Sequence, residues 1–348
     1  PHQGREQVEQ QKLALILDRS TDSTQLTYSS QWAWWDTFCR SRAINPYRKV
    51  EAENFDAEES LFLDYILHST ATHKWAPGTI KLRLAAIRAR HLAYGYKDPL
   101  CDMTRVYMAV GGYKKRYGTN TRRKPVTVSM LKWIRSRLDP RKCPNDAAAW
   151  AAILVGFFFL LRASEYVKSD GSKADNGRGL RGCDLVFRAL GQVVKLAAHA
   201  DEMGLTVRGS KTDKFNLGEV RNHFRVEEKT LCVITAMGDY QYHFPDRFGP
   251  LCSQPLFTWD NGKFIQRVEI QVILERAASA CGVDPGSMGS HSLRFGGASA
   301  LWAAFRDTGL VQRWGRWSSD AFQGYLWESR DNAKGIAEGM IKADVVVV

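Results

Sequence analysis

The chain has 348 residues, long enough for two ordinary domains with a sizeable core, and its 44% hydrophobic and 25% charged residues make a water-soluble balance. Its net charge of +12 is less ordinary and points to a polyanionic partner, either nucleic acid or an acidic membrane surface. The longest apolar run, residues 151–161, is too short to cross a bilayer, and the seven cysteines form no Cys-x-x-Cys pair and no zinc spacing with histidine.

The polar start carries no signal peptide, so a reduced intracellular chain is expected, and Pro1 in place of Met suggests a processed or trimmed chain. Residues 1–20 read as a helix with Leu13, Ile16 and Leu17 on one side. From residue 23 to 39, Tyr28, Trp32, Trp35 and Phe38 recur at helical spacing and read as core. Residues 56–69 give a further amphipathic helix through Leu61, Tyr65 and Ile66. Gly78-Thr79 then opens a helix that carries Ile80, Leu84, Ile87 and Leu92 inward, with Lys81, Arg83, Arg88 and Arg90 on the remaining faces and Asp98-Pro99 as its stop. This helix is the leading candidate for lying in a DNA groove or along its backbone. Residues 105–118 continue with Lys114, Lys115 and Arg116.

Charge is concentrated here. Residues 74–137 hold sixteen Lys or Arg against Asp98 and Asp102, so this stretch carries +14 and the rest of the chain is close to neutral. Residues 119–126, with Arg122, Arg123, Lys124 and then Pro125, read as a basic linker that could follow a phosphate backbone. The domain boundary is placed there, with a small all-α domain at 1–118.

The second domain, 127–330, is expected to open with a helix over 127–138, capped by Thr127 or Ser129. Residues 147–167 read as one long helix, apolar nearly all round and hence buried, which ends at Arg162 and Glu165. A guanidinium there needs an anion or an acid, and Glu165 can be that acid, as a structural pair or as part of a site. Residues 193–196, 205–207 and 220–226 alternate as short strands, with a turn between the last two that presents Lys211. A helix over 267–281 follows.

The chain is organised around residues 289–327. His291 and Arg294 lie three apart, so that on a helix capped by Ser290 they can face one anion. Ala298, Leu301, Trp302 and Phe305 continue the helix into the core, and Trp317 and Tyr325 follow. A phenol that arrives beside cations suggests a nucleophilic tyrosine brought to a phosphate.

Arg162 with Glu165, Lys211 in a hairpin turn, His-Ser-Leu-Arg at 291–294, Trp317 and Tyr325 stand in the order found in tyrosine recombinases of the phage-integrase family. The wording Gly-Arg-Trp-Ser-Ser-Asp-Ala-Phe before Tyr325 most resembles recombinases of mobile elements, including retrotransposon and Crypton-like ones. Trp317 stands where many members have a second histidine, and its interval to Tyr325 is one residue shorter than in many. The resemblance implies a mainly α chain with a small antiparallel β-sheet: an N-terminal helical core-binding (SAM-like) domain and an α/β catalytic domain. It implies attack of the Tyr325 hydroxyl on a DNA phosphodiester, giving a 3′-phosphotyrosyl link without ATP, metal or other cofactor. A free phenol has pKa about 10, so its deprotonation at pH 7 costs roughly 4 kcal/mol, and His291 is the expected base or shared-proton partner. Arg162 and Arg294 would neutralise the phosphate, Lys211 would protonate the leaving oxygen, Glu165 would orient Arg162 or His291, and the Trp317 indole would donate to a phosphate oxygen. The expected partners are double-stranded DNA and further copies of the chain, a dimer on each site and a tetramer in the synapse, with no membrane. Residues 331–348 are expected to dock on a neighbouring protomer. The expected location is intracellular and with DNA, in a nucleus or a nucleoid according to the host. A nicking-closing enzyme of the type IB topoisomerase kind and a silent DNA-binding descendant of a recombinase are the alternatives.

Overall fold

Two separate cores form, one within Pro1–Asn120 and one within Thr121–Val348. The computed structural model describes residues 2–20, 22–118, 123–168, 179–208 and 218–327, so Arg122, Lys211 and the tail at 331–348 lie outside the described residues.

The first unit holds α1 (His2–Leu17), α2 (Asp22–Arg40), α3 (Phe55–Ala71), α4 (Pro77–Ala93) and α5 (Thr104–Tyr117). The aromatic stripe of α2 forms its centre: Trp32, Trp35 and Phe38 are buried, and the Trp35 ring stacks on Phe62 at 4.8 Å. Trp35 Nε1 donates to the Pro46 carbonyl at 2.8 Å, so the indole is buried without an orphan donor. Ile16 of α1, expected on the inner side, is exposed.

α4 corrects two expectations. Its inner stripe is Ile80, Leu84, Ile87 and His91, and Leu92 is exposed. His91 tolerates burial because both ring nitrogens are used: Nδ1 donates to the Ile87 carbonyl at 2.8 Å and Nε2 accepts from the Arg48 N–H at 2.8 Å. The helix also ends before Asp98-Pro99. Gly95 takes φ +80°, the Gly95 N–H returns to the Leu92 carbonyl and the Tyr96 N–H to that of His91, a Schellman closure that needs a left-handed residue.

The second unit contains α6 (Val128–Arg135), capped by the Thr127 hydroxyl, which accepts from the Met130 N–H at 3.3 Å. The central helix α7 (Pro144–Phe158) is buried from Ala147 through Phe157. Around it lie α9 (Val233–His243), α10 (Arg267–Ala280) and α11 (Ser292–Phe305), followed by α12 (Thr308–Trp314). A four-stranded sheet, β1 (Leu185–Ala189), β2 (Gln192–Val194), β3 (Glu202–Val207) and β4 (Glu219–Phe224), runs antiparallel throughout in the order β2-β1-β3-β4. Phe187 pairs with Met203 and Leu205 with Arg221. Among the described residues the chain is thus mainly α with one small antiparallel sheet.

The expected single helix over 147–167 is interrupted. α7 stops at Phe158, Leu160 takes φ +50°, and the chain restarts as the one-turn α8 (Ala163–Tyr166). The Leu160 N–H bonds to the Phe157 carbonyl and the Leu161 N–H to that of Gly156. A left-handed leucine costs about 1–2 kcal/mol, which its burial against Ala298, Val311 and Phe322 offsets. The interruption frees the last carbonyls of a long buried helix, and those groups shape the site.

Candidate active site

α11 crosses the end of α7 with backbone on backbone. A Cβ at Gly296 would strike the Val126 carbonyl, and one at Gly297 the Phe157 carbonyl, so the Gly-Gly after Arg294 permits this approach. Ser290 does not cap the helix, contrary to expectation. His291 occupies the N-cap position by its backbone, and Ser290 Oγ lies 3.3 Å from His291 Nδ1. Ser292 Oγ instead accepts from the Gly289 N–H at 3.0 Å, which fixes the turn into the helix.

Arg294 therefore enters beneath Leu160. Its guanidinium is 1% exposed and donates to the carbonyl oxygens of Leu160 and Gly315, with the Trp317 ring 4.3 Å from its central carbon. His291 is exposed while Arg294 is buried, so the two do not share one open face. The neighbouring Phe158 carbonyl receives the Trp314 indole N–H at 3.2 Å and His223 Nε2 at 3.0 Å. The negative end of the α7 dipole is thus directed at the cations and donors of the site.

A second guanidinium arrives through α8. Glu165, 2% exposed, accepts from the Arg162 N–H at 2.8 Å and from Arg162 Nη1 at 3.0 Å. The same carboxylate accepts from Arg316 Nη2 at 2.8 Å and Arg316 Nη1 at 3.3 Å. Arg316 sits in a left-handed turn at φ +60° between Gly315 and Trp317, and its partner lies 151 residues upstream, so no local pattern marks it.

Tyr325 ends a 3₁₀ segment, Asp320–Tyr325, and its ring meets Phe295 at 4.4 Å and Trp317 at 5.0 Å. Its backbone carbonyl accepts from Ser299 Oγ at 2.9 Å, which ties the segment to α11. The structure thus gathers Arg162, Glu165, His291, Arg294, Trp317 and Tyr325 from three stretches of sequence, and adds Arg316.

Two guanidiniums, Arg162 and Arg316, share the Glu165 carboxylate, and Arg294 lies within their electrostatic reach. Burial pushes the Arg294 guanidinium down to about 9, with Arg162 and Arg316 adding repulsion, yet it remains charged at pH 7. Partial desolvation lowers His291 below its ordinary value, and Arg294, Arg162 and Arg267 lower it further, so the imidazole is neutral at pH 7. Burial pushes Glu165 up, but the charges and hydrogen bonds of Arg316 and Arg162 prevail and hold it below the usual carboxylate range. The surplus positive charge suits an anion. Among the described residues no group of three or more His, Cys, Asp or Glu is placed to hold a metal ion.

The residues expected to grip DNA divide by environment. Lys81, Lys114, Lys115 and Arg116 are exposed. Arg83, expected on an outer face, is 4% exposed and lies 3.3 Å over the Trp75 ring, because its position on α4 falls on the buried stripe beside Leu84. Arg88 pairs with Asp98 at 2.7 Å and Arg90 Nε donates to Tyr47 Oη at 3.0 Å. Arg123 donates to the carbonyls of Gly286 and Met288, and the Lys124 N–H to that of Ser287, so this part of the expected linker is anchored to the second unit.

No protein-family model matches the chain, and no curated protein matches its sequence. Solved structures match in fold. XerH site-specific recombinase, bound to a palindromic difH substrate in a post-cleavage complex, is 14% identical with a TM-score of 0.54, over 90% of this chain and 79% of that one. A fragment of the Tn1549 transposon integrase in complex with transposon right-end DNA is 13% identical with a TM-score of 0.51, over 96% and 99% of the two chains. A fragment of lambda integrase, a dimer bound to a core site, is 13% identical with a TM-score of 0.51, over 94% and 98%. No helix among the described residues is long and apolar enough to cross a membrane. This chain has the tyrosine-recombinase fold.

Proposed function

We propose that the protein is a site-specific DNA recombinase of a mobile element that cleaves and rejoins strands through a 3′-phosphotyrosyl intermediate on Tyr325. The observation that carries the reading is the convergence of three guanidiniums and one carboxylate on the site where the Tyr325 ring lies against Trp317. Tyr325 Oη bonds to phosphorus as the bond to the 5′-oxygen breaks. His291, neutral at pH 7, takes the phenol proton, and Lys211 gives a proton to the leaving oxygen. Arg162 and Arg294 neutralise the two non-bridging oxygens as charge gathers on them. A 5′-hydroxyl then reverses the step on a second strand, which conserves the bond energy.

Trp317 lies over Arg294, so the reading requires the indole and Tyr325 to shift as the phosphate enters, after which the indole N–H donates to it. Lys81, Lys114, Lys115 and Arg116 of the first unit are assigned to backbone phosphates, where they would hold the duplex. The test is incubation with a suicide duplex nicked beside the cleavage point. A covalent adduct that maps to Tyr325 and is absent in Tyr325→Phe is expected. An adduct that persists in Tyr325→Phe, or none in the unaltered protein, overturns the reading.

A further inference from the structure

We infer that Arg316 is a positioning residue for this chemistry, a third guanidinium that neutralises Glu165 so that the charge of Arg162 stays available to the phosphate. The inference rests on the recombinase reading. Its geometric basis is the sharing of one carboxylate between two arginines placed on opposite sides of the sequence gap. Glu165 is 3% exposed at its side chain, Arg316 is 6% exposed and Arg162 is 20% exposed. The more buried guanidinium therefore takes both carboxylate oxygens through a two-pronged contact, at 2.8 and 3.3 Å, while Arg162 uses only Nη1 on one of them. Among the described residues the Arg162 guanidinium makes no other hydrogen bond, and its side chain is the more exposed of the two.

Arg162 and Glu165 alone would form a neutral pair and leave Arg294 as the sole surplus cation. Arg316 raises the surplus of the set to two positive charges, which equals the charge on the two non-bridging oxygens of a pentacoordinate phosphorane. The fork also orients the carboxylate that receives the Arg162 N–H, so Arg316 fixes the backbone from which Arg162 projects. Its place is set by the chain: the Gly315 carbonyl is held by Arg294 and the Trp317 ring covers that same guanidinium, so the residue between them is brought to Glu165.

The experiment compares adduct formation on suicide DNA by the unaltered protein, Arg316→Met, and the double variant Glu165→Gln, Arg316→Met. It uses a normal scissile phosphate and a methylphosphonate that lacks one charged oxygen. Arg316→Met should slow the normal substrate about 10²-fold, and the deficit should shrink below about tenfold on the methylphosphonate. The double variant, which has no buried carboxylate to neutralise, should recover to within about tenfold of the unaltered protein, and it serves if the single variant does not fold. Equal deficits on both substrates, a double variant as slow as the single one, or no effect of Arg316→Met overturn the inference while the adduct on Tyr325 upholds the recombinase reading. No adduct with the unaltered protein overturns both.

Discussion

Replacing Glu165 by Gln should destabilise the second unit by about 3–5 kcal/mol at pH 7, because it breaks a buried ion network from the side that has no substitute. The carboxylate is 2% exposed and receives four hydrogen bonds, one from the Arg162 backbone and three from the guanidiniums of Arg162 and Arg316. Glutamine keeps the shape and can still accept the Arg162 N–H, so the loss measures charge rather than volume. Three guanidiniums then face one another with no anion among them. For a unit of this size the change corresponds to a fall in Tm on the order of 10 °C. The carboxylate is held below its ordinary value, so its contribution is fully present above the usual carboxylate range and is lost as pH falls through the depressed native value. The unaltered protein should therefore lose this stability on acidification below about pH 4.5, and Glu165→Gln should show a flatter profile there. Urea unfolding at a series of pH values measures both, with the two units followed as separate transitions. A change below about 1 kcal/mol, or parallel pH profiles, would refute the claim that the carboxylate holds the arginines in place.

Three further outcomes are expected. The triple variant Lys114→Gln, Lys115→Gln, Arg116→Gln should weaken DNA binding and reduce the slope of log K against log salt by about 3, read by fluorescence anisotropy at several salt concentrations; an unchanged slope would remove these residues from the phosphate contacts. In the proposed mechanism His291 accepts the phenol proton as a neutral imidazole and its value is lowered, so adduct formation should stay level through neutral pH and fall only on the acid side of the ordinary histidine value. His291→Ala should slow the step about 10²–10⁴-fold and abolish that acid limb in single-turnover measurements.

The core of the first unit was readable because Trp32, Trp35 and Phe38 repeat at the helical period and bury as that period requires. The period failed at the end of α4 because His91 satisfies both nitrogens with backbone and can replace Leu92 on the inner face. The break after Phe158 was hidden because it rests on a leucine in a conformation that sequence assigns to glycine, stabilised by residues more than a hundred positions away. The sequence marks neither strand β1 nor helix α9, for related reasons: Leu185–Ala189 lacks alternation, and Val233–His243 opens with β-branched residues. At the site, the grouping of Arg162, Glu165, His291, Arg294, Trp317 and Tyr325 was legible only through the order of motifs. The burial of Arg294 under Trp317 and the arrival of Arg316 depend on how α11 meets α7, which no spacing encodes.

The junction between α7 and α11 also decides which substitution tests the proposed chemistry without disturbing the fold. Exchanging Arg294 strands the Leu160 and Gly315 carbonyls in the interior, so a dead variant made there confuses lost chemistry with lost architecture. The Tyr325 hydroxyl holds up nothing among the described residues. Under the proposed function, its removal gives the cleanest silent control, since the altered protein should still accumulate and bind DNA.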